Sequence, residues 1–251
     1  LFFHTAVDGY SCRIIIAKIG VIKIELFVIA GIAVPLLMVP LVVFTPKNIR
    51  YAVMIAAVAV FIFLAYYDWT GVELGRATFG DALLAPISFS EHPYSRLAVL
   101  GFTLVGALGL IYGLQSAKPS EQAVALIAIV SAIGIVFSDN FIVLFIFWEM
   151  LTLSTAGLIL LKRSPEAIMA GLYFLSFHLA GGLFVLFGIW QHYQATGSFT
   201  ITEPAAGLVL FTIGFGFKAA FLPLHIWVAR GYPSANHYSS VLLAGLTTKI
   251  G

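Results

Sequence analysis

The stretch FIVLFIFWEMLTLSTAGLILL, Phe141–Leu161, holds one ionisable side chain, Glu149, in twenty-one residues. A helix of that length crosses a hydrocarbon core of roughly 30 Å. A carboxylate at that depth costs about 2.5 kcal/mol or more on insertion scales. A helix that only had to span would carry Leu or Ile at this position. The residue therefore calls for a partner, and two lysines in later apolar segments, Lys218 and Lys249, are the candidates.

The composition around this stretch fits a membrane protein. Of 251 residues, 61% are hydrophobic and 10% charged, with a mean hydropathy of +1.05. Soluble domains carry about 25% charged residues. Long apolar runs without short alternating strands predict an all-α bundle rather than a barrel. The net charge of +2 is too small to point to nucleic acid. The lone cysteine, Cys12, excludes an internal disulfide and a cysteine metal cluster. No cofactor or metal is expected. Leu1 is not a methionine, and Gly251 follows Lys249 by two residues, so the sequence reads as an excerpt or a truncated product.

Taken in order, residues 1–25 are weakly patterned and receive no assignment. Spans are expected at Leu26–Phe44, Tyr51–Tyr67, Leu97–Leu114, Gln122–Phe137, Phe141–Leu161, Ile168–Trp190 and Ala206–Val228, with an eighth starting near Ser239. Pro35 and Pro40 fall inside the first, where a membrane helix tolerates them. Asp68–Arg96 is the longest polar segment, and Pro86 and Pro93 argue against one helix there. Two regions result: 1–96, with two spans and a polar loop, and 97–251, a helical half-channel. Alternate loops carry Lys47, Arg50, Lys118, Lys162, Arg163 and Arg230; the intervening ones carry only Arg76 and Arg96. The basic set belongs on the cytoplasmic side, which puts the amino terminus outside. Arg13, Lys18 and Lys23 run against that orientation.

Lys218 lies about twelve residues from one end of its span and ten from the other, too deep to snorkel easily. Burial disfavours a lysine's charged form and a nearby carboxylate favours it. A Glu149–Lys218 pair would balance the two, as a proton relay requires. Pro223, five residues on, lacks the N–H that would reach Ala219 and crowds its carbonyl, so the helix should break there. Broken helices recur at ion sites near the membrane midplane. His225 follows the break; a histidine's unperturbed pKa of about 6.5 suits proton exchange. His178 is the other histidine within a span, and Lys249 sits beside Thr247 and Thr248. Plainer readings stand next to these. Glu149 and Lys218 are also what a structural ion pair needs, although a buried pair is weak evidence for stability. His178 and His225 also suit helix–helix hydrogen bonds, and Lys249 a place near the interface. Gly181-Gly182 reads as close helix packing.

At these residues the sequence resembles the antiporter-like proton-translocating subunits shared by respiratory complex I, membrane-bound hydrogenases and Mrp-type cation/proton antiporters. The resemblance runs from about Ser95 to Gly251. Its motifs are F-W-E-M (Phe147–Met150), F-K-A-A-F-L-P-L-H-I-W (Phe217–Trp227), Y-P (Tyr232-Pro233) and T-T-K-I-G (Thr247–Gly251), in order and at matching spacing. It implies that Glu149 is the glutamate of the family's fifth helix and Lys218 the lysine of its broken seventh helix. Lys249 would be the lysine of the eighth and His225 the histidine after the break. It also implies that helices four to eight form one half-channel, repeated upside down in helices absent from this sequence. Three stretches depart from the pattern: Val228-Ala229-Arg230 in place of L-P-D, Ala235-Asn236 in place of A-P, and Glu91–Leu97 in place of V-D-G-L-S-R-L. The A-R-G-Y-P and T-T-K variants look more like the Mrp-type cation/proton antiporter branch than the complex I branch.

The expectation is therefore an all-α, polytopic bundle of about eight spans, the first half of an inverted-repeat antiporter-like fold with a broken seventh helix. Protons would move through Glu149, Lys218, Lys249, His225 and His178, with the helix break at Pro223. The expected partners are the lipid bilayer, other membrane subunits, protons and Na⁺ or K⁺, in the inner (plasma) membrane. The expected role is transport, in an Na⁺/proton antiporter complex. The alternatives are the proton-pumping subunit of an NADH:quinone oxidoreductase or membrane-bound hydrogenase, and a scaffold that transports nothing or a degenerate fragment that no longer works.

Overall fold

The computed structural model describes residues 31–66, 77–79, 87–89, 95–201 and 206–250. The basic residues Arg13, Lys18 and Lys23, with Cys12, lie outside these, as do Arg76, Pro86 and Pro93 in the polar segment. Nine helices occur among the described residues: α1 (Gly31–Phe44), α2 (Lys47–Tyr66), α3 (Ser95–Ser116), α4 (Pro119–Phe137), α5 (Phe141–Leu160), α6 (Pro165–Thr196), α7 (Leu208–Ala219), α8 (Ile226–Ser234) and α9 (His237–Ile250). The sequence pattern had suggested no strands. The polar segment nevertheless holds an antiparallel pair, β1 (Ala77–Phe79) and β2 (Ile87–Phe89), with Ala77 opposite Phe89. At three residues each, these are far short of the roughly nine that a strand needs to cross a membrane.

Local chemistry sets the helix ends. The Glu121 carboxylate accepts from the Lys118 backbone N–H at 2.8 Å, and Pro119 opens α4 where no donor is needed. Asn140 caps α5 by accepting from the Val143 N–H at 2.8 Å. Ser164 does the same for α6 through Ala167, followed by Pro165 at its first turn. Gly197, at φ 67°, ends α6 in the left-handed conformation that glycine adopts without penalty. The sixth span therefore runs on to Thr196, six residues past its expected end at Trp190, because Gln191–Thr196 is polar yet free of any helix breaker.

Among the described residues four helices, α3 to α6, are long and apolar enough to cross a membrane, and α1 and α7 are shorter apolar helices. The expected count of about eight spans is not reached among the described residues. The expected seventh span is divided between α7 and α8, as the expected break requires, and α9 has fourteen residues. α5 is the hub of the packing. Its Val143, Phe147, Leu151 and Leu158 join a core reaching from α1 and α2 to α9. Its Ala156 and Ile159 meet Phe174, Trp227 and Leu243. Phe141 and Trp148 meet Val185, Ile189 and Phe211. Leu37, Leu97, Leu153, Met169, Leu183 and Val209 point outward, as the lipid-facing side of a multi-pass bundle requires.

Candidate functional site

The site forms where α7 stops. Its last turn closes at Ala219, and Ala220 turns left-handed at φ 60°, with the Phe221 N–H donating to the Gly216 carbonyl at 3.0 Å. Pro223 accounts for the stop, since it has no N–H to offer Ala219. α8 then begins at Ile226. The Trp227 indole N–H donates back to the Phe217 carbonyl at 2.9 Å, supplying a partner to one of the acceptors the break leaves free.

Lys218 sits in that last turn and is 1% exposed. Its ammonium enters α5 and donates to the Trp148 carbonyl and to the Thr152 hydroxyl, each at 3.0 Å. It also lies 4.1 Å from the centre of the Trp148 ring, a cation–π distance. Thr152 in turn donates to the Trp148 carbonyl at 3.0 Å. The lysine is thus held by α5, the glutamate's own helix, but not by the glutamate. The expected direct Glu149–Lys218 pair is replaced by these contacts, and no ion pair joins the two groups. One helix residue on from Trp148, the Glu149 side chain is turned towards α6. Its Oε1 is buried and accepts no hydrogen bond. It lies against Gly182, where a Cβ would collide with it.

His178 is buried on α6 between aromatic rings: Phe174 stacks at 3.9 Å and Trp227 meets it edge-on at 4.4 Å. Its Nδ1 pairs with the Phe174 carbonyl at 2.9 Å, and its Nε2 has no partner. Glu149, Lys218 and His178 are therefore gathered around the α5–α6–α7 junction. Two other expected residues are placed differently. His225, immediately before α8, is exposed on the surface of this chain, as is Lys249, whose ammonium reaches only the neighbouring Thr248 hydroxyl at 3.4 Å. Among the described residues no three His, Cys, Asp or Glu side chains group as a metal site.

Sequence reasoning missed Thr152, Trp148 and Trp227 as polar partners. The spacing of Thr152 was a usable signal: it lies one turn beyond Trp148 in an otherwise apolar run. A second polar group went unseen at the other end of α4. Glu121, 2% exposed, accepts from the Asn236 side chain, which ties α4 to the turn before α9.

The lysine is buried at a break in one helix and docked on a glutamate-bearing apolar helix in a multi-pass bundle, the arrangement that the resemblance implies. Residues 138–251 match the family described as NADH:quinone oxidoreductase/Mrp antiporter, TM, so this segment is similar to the membrane subunits of that family. Hydrogenase-4 component B of Escherichia coli K12 is 30% identical over 136 residues, covering 50% of this chain and 20% of that protein. NADH-quinone oxidoreductase subunit N of Herminiimonas arsenicoxydans is 25% identical over 222 residues, covering 78% and 44%. The fold matches a chain in the structure of the Mrp complex from Dietzia sp. DQ12-45-1b with a TM-score of 0.78 at 21% identity, covering 89% and 27%. The chain thus spans less than half the length of each of these proteins.

Proposed function

We propose that this chain moves protons across the inner (plasma) membrane as one subunit of a larger complex, and that the complex exchanges a monovalent cation, Na⁺ first, for protons. The observation that carries the reading is Lys218: an amine sealed from solvent at a helix break and held by neutral acceptors, with the Glu149 carboxyl group on the next residue after one of them. A structural ion pair would join the two groups directly. Here the lysine keeps hydrogen-bond partners of its own, so it is not left without them when Glu149 changes charge. His178, with a free ring nitrogen in the same junction, is the next carrier. Lys249 and His225, both on the surface of this chain, hand protons on to neighbouring helices or subunits.

The second reading places the same path in the proton-pumping arm of a redox complex. The relatives named as NADH-quinone oxidoreductase and hydrogenase components favour it. One experiment addresses both. The native complex is assayed in everted membrane vesicles with a pH-sensitive dye. Collapse of a proton gradient on adding Na⁺ supports the antiporter, and acidification driven by NADH supports the pump. Glu149→Gln and Lys218→Ala abolish either activity while the complex still assembles; full activity in both variants refutes the proton path.

A further inference from the structure

We propose that Gly182 is a seat for the Glu149 carboxyl group, holding it against the α6 backbone and apart from Lys218 between approaches to that lysine. The inference rests on the proton path above, to which it adds a positioning residue.

The geometry assigns different work to two adjacent glycines. A Cβ on Gly181 would meet the Cβ of Phe217 at 2.7 Å and the Gly214 carbonyl at 3.2 Å, so Gly181 serves the contact between α6 and α7. A Cβ on Gly182 would instead strike Glu149 Oε1 and sit 3.3 Å from its Cδ. All three nearest atoms belong to the Glu149 carboxyl group. Close helix packing explains the first glycine but not the second, whose missing side chain leaves room for one functional group on α5.

The seat also has a chemical preference. Oε1 is buried there without a hydrogen bond. An ionised oxygen in such a place is far more costly than a neutral carboxyl group. Beside the Lys218 ammonium the preference reverses. The charged or titratable groups near Glu149 are Lys218 on α7 and His178 on α6, the latter one helical turn before Gly182. Rotation of one side chain between Gly182 and Lys218 thus couples position to charge, and Gly182 makes the first of the two stations available.

The test compares Gly182→Ala, Glu149→Asp, the double variant and Glu149→Gln in the intact complex, with Gly101→Ala as control, since a Cβ there meets nothing. Proton transport in everted vesicles and the infrared carboxyl band lost in Glu149→Gln are the readouts. Gly182→Ala is expected to slow transport about tenfold or more, the scale of an ångström-sized misplacement, and to move the band. Adding Glu149→Asp, one methylene shorter, restores most of the lost rate. Should Gly182→Ala fail to assemble, assembly of the double variant supports the seat. Wild-type transport with an unmoved band in Gly182→Ala overturns the proposal, as does a defect in rate or assembly that Glu149→Asp does not repair. Full transport by Glu149→Gln removes Glu149 from the proton path instead, and leaves the band to judge the seat alone.

Discussion

The indole N–H of Trp227 donates to the carbonyl of Phe217 across 2.9 Å and ties the first turn of α8 to the last turns of α7. The same ring closes one side of the His178 pocket. Trp227→Phe keeps an aromatic ring and removes the donor. The Phe217 carbonyl then loses its partner, at a cost of about 1–3 kcal/mol. Thermal unfolding of the purified complex should show a lowered midpoint, and an unchanged midpoint would mean that the bond contributes nothing.

Thr152 offers a sharper probe of the lysine. Thr152→Val preserves shape and removes one of the two acceptors of the Lys218 ammonium. A hydrogen bond to a charged group is worth about 1.5–3 kcal/mol, or roughly ten- to hundredfold in an equilibrium. The expected result is a fall of that order in proton transport with normal assembly, and near-wild-type rates in Thr152→Ser. Equal activity of the two variants would show the hydroxyl to be dispensable.

Ala220 holds a left-handed conformation that a side chain disfavours by about 1–2 kcal/mol. Ala220→Gly relieves this where the break requires a positive φ. It should raise the thermal midpoint of the complex by an amount equivalent to about 1 kcal/mol. A lower midpoint would show that the added freedom of the unfolded chain outweighs the relief.

Asn236 stands where the resembled family has proline, and its side chain donates to the buried Glu121 carboxylate. Asn236→Ala leaves that carboxylate with the Lys118 N–H and one partner fewer. The expected loss is about 1–3 kcal/mol of stability, again read by thermal unfolding. Glu121→Gln in the same background should recover part of it, because an amide tolerates the missing donor better than a charge does.

These cases show what a sequence states and what it withholds. Glu149 and Lys218 were legible because a charge inside an apolar run is costly enough to need a reason. The break was legible because Pro223 cannot complete a helix, and the start of α5 because the apolar run opens at Phe141. The partner of Lys218 was not legible. Opposite charges suggest pairing, yet the register of α7 on α5 brings the ammonium to a carbonyl and a hydroxyl instead. Gly182 was hidden for a related reason: a glycine in a membrane helix reads as packing until the neighbour that fills its space is known. The end of α6 does not follow from polarity: the helix runs through the polar residues after Trp190 until Gly197 supplies a backbone that can turn.

The interruption after Ala219 has an electrostatic result as well as a geometric one. In an unbroken helix Lys218 would lie mid-span, where the adjoining partial charges of successive peptide dipoles cancel. As it is, the lysine belongs to a terminus, where aligned carbonyls sum to about half a negative elementary charge. The protein thereby supplies a partial counter-charge made of backbone alone, which no proton can neutralise and which adds to that of the nearby acid.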